Sequence, residues 1–369
     1  MPRVFATANI GPEAIDLLRQ RGYEVEVYPH IEPPPKSLIV EKIRSGIDGL
    51  ITTLACPIDE EVIAAGEGTL RVIAQAAVGF NNINRAAANH YKIPFTNTPG
   101  VLTDTTAEFA FFMMGNVARR MYPSERLVEE NTWPIWHSYE PFLGDEVSGK
   151  TVAVIGTGRI GKAFVNKCVG FDMDVLCYHP DYANRSSERE FAEKIQQVMD
   201  LRFQNALSNR QQKIGYVDLE TALRNADFVS LHVPLLKPTE SPNPTLRMMA
   251  AKQFQMMKKT AYLINSSRGQ IVDESALYDA LINNDIAGAA LDVFEVEPLP
   301  PGSPLRDPRL HLRLRKFHHF ASGARSTRLS TDPEIGMAGR CIQGLIDVIE
   351  GNYGGDIQKM PFVVNKEAF

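Results

Sequence analysis

Short apolar runs alternate with amphipathic segments through the first third of the chain. Apolar positions that recur every three or four residues predict helices, and short runs rich in Val, Ile and aromatic residues predict strands. The pattern predicts helices at residues 12–22 and 59–66 and strands at residues 2–8, 23–29, 49–54 and 70–77. Strands that alternate with helices are typical of a parallel, wound sheet.

A second α/β series begins at Lys150, after a long apolar segment at residues 104–130 and a loop rich in Trp and Pro. Residues 104–130 predict one helix or two abutting helices, and apolar residues on more than one face argue against a solvated surface. The chain has 369 residues, so two such series indicate two domains of ordinary size. The strands predicted in the second series are TVAVIG (151–156), DVLCYH (174–179), DFVSLHV (227–233), AYLIN (261–265) and GAALDVF (288–294).

Residues 183–213 interrupt the rhythm of the second series. Ser187 and Glu190 have the spacing of a capping box, which marks the start of a helix. We therefore expect an inserted helix; it could be a surface decoration, cover the adenosine end of a cofactor or extend an oligomer interface. The apolar residues expected near one face of this helix are Phe191, Ile195, Met199 and Phe203.

Composition and charge exclude several classes of function. A formal charge of −5, with scattered Lys and Arg, gives no sign of a nucleic-acid partner. No apolar run approaches the roughly 18–20 residues that span a bilayer, and the first residues lack a basic-then-apolar leader. The four cysteines have neither disulfide nor metal-site spacing. We expect a cytoplasmic protein with no metal, membrane or nucleic-acid partner.

A glycine fingerprint follows the first strand of the second series. Gly156, Gly158 and Gly161 form G-x-G-x-x-G between a strand and a helix that opens with Arg159 and Ile160. The first glycine permits a tight turn, the second lets a pyrophosphate approach the backbone, and the third lets helix and strand pack closely. The helix N-terminus favours the negative charge of the diphosphate. The motif in this context predicts a dinucleotide site.

The residue that reads the adenosine ribose is unusual in this chain. An acid is expected at the end of the second strand, and His179 stands there instead, with Asp181 two residues further on. A histidine does not repel a 2′-phosphate, and Arg185 is near enough in sequence to help bind one. The cofactor is therefore NAD or NADP, and the preference stays open.

Two later strands end in residues suited to acid–base chemistry. Arg268 follows the strand 261–265 on a glycine-backed turn, where its guanidinium could grip a carboxylate. The strand 288–294 carries Asp292 and is followed by Glu295 and Glu297, which could orient and charge-stabilise a histidine. Ligands of open α/β sheets bind at such strand ends.

With these motifs in place, the chain resembles the D-isomer-specific 2-hydroxyacid dehydrogenase family over essentially its full length. The resemblance implies an α/β fold of two wound parallel-sheet domains, a Rossmann cofactor domain inserted into a flavodoxin-like substrate domain. We expect residues 1–103 and 321–369 to form the substrate domain and residues 104–320 the cofactor domain. The motifs are residues 78–108, VIGTGRIG, SLHVPL (230–235), LINSSRGQIVDESAL, LDVFEVEP and HFASGARSTR (319–328).

The resemblance assigns roles residue by residue. The catalytic arginine, its carboxylate partner and the catalytic histidine fall on Arg268, Glu297 and His319, with His318 where relatives usually have proline. Glu297 would raise the pKa of the histidine by favouring its charged form. The expected substrate contacts are Leu54, Val78, Gly79, Arg268 and His319. The expected cofactor contacts are Gly156, Gly158, Arg159, Ile160, Gly161, His179, Val233, Pro234, Ser266, Ser267, Arg268, Asp292 and His319.

The resemblance also implies the reaction. A 2-oxo acid accepts hydride from the nicotinamide and a proton from histidine, and the D-2-hydroxy acid results. The sequence looks most like the glyoxylate, hydroxypyruvate and 2-ketogluconate reductases. A short phosphoglycerate dehydrogenase and an NAD(H)-sensing corepressor-like protein are the alternatives. In relatives the helix after residue 104 forms much of a dimer interface, so the resemblance also implies a homodimer, consistent with the apolar residues of this segment.

Overall fold

The computed structural model describes residues 1–133, 143–317 and 327–369. The chain divides into two compact units. Unit 1 comprises Met1–Leu102 and Thr327–Phe369, and unit 2 comprises Thr103–Ser326.

Unit 1 contains a five-stranded parallel sheet with the order β2-β1-β3-β4-β5. Its central strands β3 and β4 are buried along their whole length, as expected for a parallel sheet covered on both faces. The strands are β1 (Arg3–Ala6), β2 (Glu24–Val27), β3 (Gly49–Thr52), β4 (Val72–Gln75) and β5 (Phe95–Thr96). The helices between them are α1 (Pro12–Gln20), α2 (Lys36–Arg44), α3 (Glu60–Ala64) and α4 (Arg85–His90).

Unit 2 begins with two abutting helices, α5 (Thr103–Ala118) and α6 (Met121–Glu129), one of the two arrangements predicted from the apolar segment. The elements that follow are β6 (Thr151–Ile155), α7 (Arg159–Val169), β7 (Asp174–Tyr178), α8 (Ser186–Gln204), β8 (Ile214–Tyr216), α9 (Leu219–Asn225), β9 (Phe228–Leu231), α10 (Ala251–Met256), β10 (Tyr262–Asn265), α11 (Glu274–Ile282), β11 (Gly288–Leu291) and β12 (Leu314–Lys316).

The seven strands of unit 2 are parallel and have the order β12-β11-β10-β9-β6-β7-β8. The order reverses between β6 and β9, because β7 and β8 continue to one side of β6 and the later strands to the other. Ligands of such sheets bind at the carboxyl ends of the strands, at this switch point.

The inserted helix is present, but the prediction that Ser187 and Glu190 form a capping box at its start is wrong. The N-cap of α8 is Arg185, which makes no side-chain cap hydrogen bond, so the helix already includes Ser187. The buried residue in the first turn of the helix is Glu188. The expected apolar face is incomplete, because Phe203 is 44% exposed.

The last segment of the chain completes unit 1 with α12 (Arg328–Thr331) and α13 (Met337–Ile349). The amphipathic helix α13 buries Ala338, Ile342 and Leu345 against β3 and β4. A Cβ at Gly49 would lie 2.9 Å from Leu345 Cδ1, so glycine there permits close packing of α13 on the sheet. Within the described ranges, no helix is both long and apolar enough to cross a membrane.

Candidate active site

The glycine-rich loop between β6 and α7 has the geometry that the fingerprint predicts. Gly156 has φ +98°, and a Cβ there would lie 2.7 Å from Val233 Cγ1. A Cβ at Gly161 would lie 2.0 Å from the carbonyl oxygen of Gly156. Both positions therefore require glycine, the first for its backbone conformation and the second for the close approach of helix to loop.

Gly158 differs from the other two glycines because the space beside it is open. It is the N-cap of α7 and makes no side-chain cap hydrogen bond. A Cβ at Gly158 would meet no atom within 4 Å. An uncapped helix N-terminus beside open space fits a bound diphosphate, whose oxygens would accept from the first-turn N–H groups, those of Arg159 and Ile160 included.

We expect Gly158→Ala to weaken the binding of NADH about tenfold or more while the melting temperature stays close to that of the parent. The added methyl group fits the empty space and the φ of −68°, but it occupies the volume that a diphosphate would need. Titration of cofactor fluorescence measures the binding. Gly302→Ala, which also adds a methyl group to open space, is the matched control. Equal binding of NADH by both variants would contradict a diphosphate site beside Gly158.

His232 supports the loop from the neighbouring strand, a role that the sequence did not reveal. Its Nε2 lies 2.9 Å from Ser230 Oγ, and its ring packs against Phe164 with centroids 4.8 Å apart. The surrounding protein atoms lower the pKa of His232 to about 3, because they penalise the charged form. The ring is therefore neutral, and it adds no charge beside the diphosphate position.

His179 follows β7 directly, at the position where an acid usually reads the ribose. Its Nδ1 accepts a hydrogen bond of 3.1 Å from the backbone N–H of Asp181. Burial, followed by the charge of Arg185, lowers the pKa of His179 below its ordinary value. A neutral ring that accepts at Nδ1 carries its proton on Nε2, which could donate to a ribose hydroxyl or a phosphate oxygen.

Asn265, the last residue of β10, organises the turn that carries Arg268. Its side chain is fully buried. The Oδ1 atom accepts from the N–H and the Oγ of Ser267, at 3.1 and 2.9 Å, and Nδ2 donates to the carbonyl of Arg268 at 2.9 Å. Ser266 is also buried, and its hydroxyl has no hydrogen-bond partner in the described part of the chain. A bound ligand with a polar group would satisfy it.

Arg268 lies on this turn, directly beside the loop that follows β11. A Cβ at Gly269 would lie 1.9 Å from the backbone of Phe294, so only glycine permits this contact. The Nη1 atom of Arg268 donates to the carbonyl of Ser267 at 2.7 Å. Glu297 Oε1 accepts from the N–H of Phe294 at 3.0 Å, which places this carboxylate on the same loop.

Three further expected contacts also lie at the carboxyl ends of strands in unit 2. Asp292 is buried, and its N–H donates to the carbonyl of Asn265 at 3.0 Å. Val233 is buried against the glycine-rich loop, and the exposed Pro234 follows it. The structure therefore brings the expected cofactor residues of unit 2 that it describes to one edge of the sheet.

In unit 1, Gln75 and Asn82 hold the two loops that carry the expected substrate contacts. Gln75 Nε2 donates to the carbonyl of Gly79 at 3.1 Å and to Asn82 Oδ1 at 2.8 Å. Asn82 Nδ2 donates to the carbonyls of Thr53 and Cys56, at 3.0 and 2.9 Å, on either side of the half-buried Leu54.

The carbonyl groups of Val78 and Gly79 are thus bound to protein side chains, that of Val78 by Asn97 Nδ2 at 2.8 Å. Within residues 1–133, 143–317 and 327–369, the N–H groups of Val78 and Gly79 make no hydrogen bond. Two adjacent N–H groups of this kind suit a carboxylate.

Comparison with known proteins decides the family. The family model for the D-isomer specific 2-hydroxyacid dehydrogenase, NAD binding domain, matches residues 111–202 and 198–312. A glyoxylate reductase of Korarchaeum cryptofilum is 40% identical over 331 residues, which cover 89% of this chain and 88% of that protein. The chain belongs to the D-isomer-specific 2-hydroxyacid dehydrogenase family. It is an oxidoreductase with an NAD-binding domain.

Further relatives and solved structures match nearly the whole chain. A glyoxylate reductase of Aeropyrum pernix is 35% identical and covers 99% of this chain and 96% of its own length. Among solved structures, the TT0316 protein from Thermus thermophilus is 32% identical with a TM-score of 0.78, covering 98% of this chain and 99% of that one. D-lactate dehydrogenase from Aquifex aeolicus, complexed with NAD and lactic acid, shares the fold at a TM-score of 0.74 and 23% identity, covering 98% and 99% of the two chains.

The strand order of this dehydrogenase brings two of the expected catalytic residues, Arg268 and Glu297, to the loops that follow neighbouring strands. β10, β11 and β12 are adjacent, with Asn265 paired to Leu291 and Leu291 to Lys316. Arg268 and Glu297 follow the first two of these strands. His319 comes after the third in the sequence, and it lies outside the described residues together with His318.

Proposed function

We propose that this dehydrogenase reduces a small 2-oxo acid of the glyoxylate, hydroxypyruvate or 2-ketogluconate class to the D-2-hydroxy acid. The observation that carries the proposal is Arg268, held by Asn265 and Gly269 at the carboxyl edge of the nucleotide-binding sheet, next to the Glu297 loop. The narrower substrate class is supported by the relatives, several of which are glyoxylate reductases.

The chain's own residues would bind the substrate and move one proton. Arg268 binds the substrate's carbonyl and carboxylate oxygens with its guanidinium, which donates in a planar fork. In unit 1, the adjacent N–H groups of Val78 and Gly79 suit a carboxylate as their acceptor. His319 donates a proton to the carbonyl oxygen, and Glu297 stabilises the charged imidazolium.

The cofactor fits residues of unit 2. The N-terminus of α7 at Gly158 would hold the diphosphate, His179 the adenosine ribose, and the buried Ser266 hydroxyl a polar group of the ligand. When bound, NADH or NADPH supplies the hydride that reduces the carbonyl carbon.

We infer that a second copy of the chain covers the exposed apolar surface of α5 and α6. Phe112 and Val128 are 65% and 62% exposed, and Met121 and Tyr122 are about half exposed. Large apolar side chains that are exposed together favour a protein partner, and the commonest such partner is a second subunit.

Steady-state rates with glyoxylate, hydroxypyruvate, 2-ketogluconate and 3-phosphohydroxypyruvate, each with NADH and with NADPH, test the proposed function. We expect one of the first three acids to give the largest kcat/KM, because several relatives that match most of the chain are glyoxylate reductases. The decrease in reduced-cofactor absorbance measures the rate. Turnover of 3-phosphohydroxypyruvate alone, or of no 2-oxo acid, would contradict the proposal.

A further inference from the structure

A buried carboxylate from the inserted helix lies against the glycine-rich loop. Glu188, in the first turn of α8, is only 4% exposed. Its Oε2 accepts a 3.0 Å hydrogen bond from the hydroxyl of Thr157, the residue between Gly156 and Gly158. The same oxygen accepts from the hydroxyl of Tyr216 on β8. Glu188 therefore fastens α8 to the loop that would hold the diphosphate.

Glu188 also binds two cations. Lys162 of α7 has its Nζ 3.3 Å from Glu188 Oε2, and it lies 4.9 Å from the ring centre of Phe191, also on α8. Arg185 Nη1 lies 3.9 Å from Glu188 Oε1. Burial acts to raise the pKa of Glu188, but hydrogen bonds from Tyr216, Thr157 and Lys162 outweigh it, and the pKa lies below the ordinary value. Glu188 is therefore charged at neutral pH.

These charges lie around the end of β7, where the adenosine ribose of a dinucleotide binds. Arg185 Nε is also 3.8 Å from Asp181 Oδ2. Lys162 and Arg185 are thus balanced by Glu188 and Asp181, and His179 between them is neutral. A 2′-phosphate would bring about two negative charges to a position where Lys162 and Arg185 are already paired with carboxylates. A 2′-hydroxyl carries no such charge.

The two stretches that match the family model overlap at residues 198–202, so both include part of α8. The carboxylate of α8 lies beside the ribose-reading position, where His179 has replaced the usual acid. The inserted helix therefore restores a negative charge near a position that has lost one.

We propose that Glu188 is a specificity-determining residue that favours NADH over NADPH by neutralising Lys162 and Arg185 beside the ribose-binding end of β7. The inference rests on the proposed function only through the binding of a nicotinamide dinucleotide.

Glu188→Gln separates the effect of the negative charge of Glu188 from the effect of its hydrogen bonds to Thr157 and Tyr216. Glutamine has nearly the same shape and keeps an oxygen that accepts from Thr157 and Tyr216, but it cannot neutralise Lys162 and Arg185. The two cations then become available to a 2′-phosphate. We expect the ratio of the Kd for NADPH to the Kd for NADH to fall about tenfold, mainly because NADPH binds more tightly. Destabilisation of the glycine-rich loop would instead weaken the binding of both NADH and NADPH.

Fluorescence titration of the full chain with NADH and with NADPH, in the absence of substrate, measures both constants. Glu190→Gln is the matched control, because Glu190 lies on the exposed face of the same helix turn. In a Glu188→Gln, Arg185→Gln double variant, most of the gain for NADPH is expected to disappear. Asp181→Asn, which frees Arg185 from its exposed partner, is expected to shift the ratio in the same direction by less.

An unchanged cofactor ratio in folded Glu188→Gln would overturn the inference. If Glu188→Gln does not fold, an unchanged ratio in Asp181→Asn would overturn it, since that substitution is on the surface. A parent protein that binds NADPH more tightly than NADH would also overturn it. Failure to bind either cofactor would count against the proposed function instead, so the two failures are distinguishable.

Discussion

Replacement of His319 with Asn is expected to lower kcat for 2-oxo acid reduction by roughly 10²–10⁴-fold, while NADH still binds. The reduction needs a proton at the carbonyl oxygen, and asparagine cannot supply one. His319 comes shortly after β12 in the sequence. In the sheet, β12 pairs with β11, which precedes Glu297, and β11 pairs with β10, which precedes Arg268. Steady-state kinetics with the best 2-oxo acid, together with cofactor titration, measure the two effects separately.

His318→Asn is the matched control for this prediction, because the chain carries two adjacent histidines. Neighbouring residues of an extended segment point in opposite directions, so we expect only one of them to act on the substrate. We expect His318→Asn to retain most of the parent kcat. If His318→Asn lost turnover and His319→Asn kept it, the assignment would be displaced by one residue.

Arg268→Gln is expected to lower kcat/KM by about 10²-fold or more, because a donor to developing negative charge is lost. Arg268→Lys is expected to recover little of this loss, because an ammonium group cannot donate in the bidentate fork that two carboxylate oxygens accept. The turn itself would persist, since Asn265 holds it through backbone groups. The measurements are kcat/KM for the 2-oxo acid and the Kd for NADH.

Arg224→Gln is the control for Arg268, because Arg224 is an exposed arginine of the same unit that pairs with Glu220 at 2.8 Å. It is expected to leave kcat/KM unchanged. If Arg268→Gln also left kcat/KM within about twofold of the parent, the guanidinium would not bind the reacting substrate.

The glycine-rich loop could be predicted from the sequence because its requirements are local. Gly156 needs a positive φ and Gly161 needs a close backbone neighbour, and both needs are expressed within a single short motif. The parallel strands of both units could be predicted for a similar reason, since buried parallel strands are short, continuous apolar runs.

Contacts between distant segments could not be predicted in this way. Gln75 joins two loops of unit 1 through Asn82, and nothing in the polarity pattern marks it because it is a buried polar residue at a strand end. The start of α8 was predicted wrongly because Ser187 and Glu190 have the spacing of a capping box. The tertiary contact of Glu188 with Thr157 determines the helix phase instead.

The cofactor preference shows the same limit. The sequence indicated that His179 replaces the usual acid and that Arg185 follows it, which left the choice between NAD and NADP open. Only the structure shows that a buried carboxylate reaches Arg185 and Lys162 from the inserted helix. Long-range charge balance of this kind has no signature in a single sequence.

We propose that this dehydrogenase transfers hydride from a nicotinamide cofactor to the carbonyl carbon of a 2-oxo acid and forms the D product. The most direct test is to incubate the enzyme with hydroxypyruvate and NADH deuterated at the transferred position, and to examine the product by chiral chromatography and mass spectrometry. We expect D-glycerate with one deuterium at C2. Glycerate of the L configuration, or D-glycerate without deuterium at C2, would contradict it.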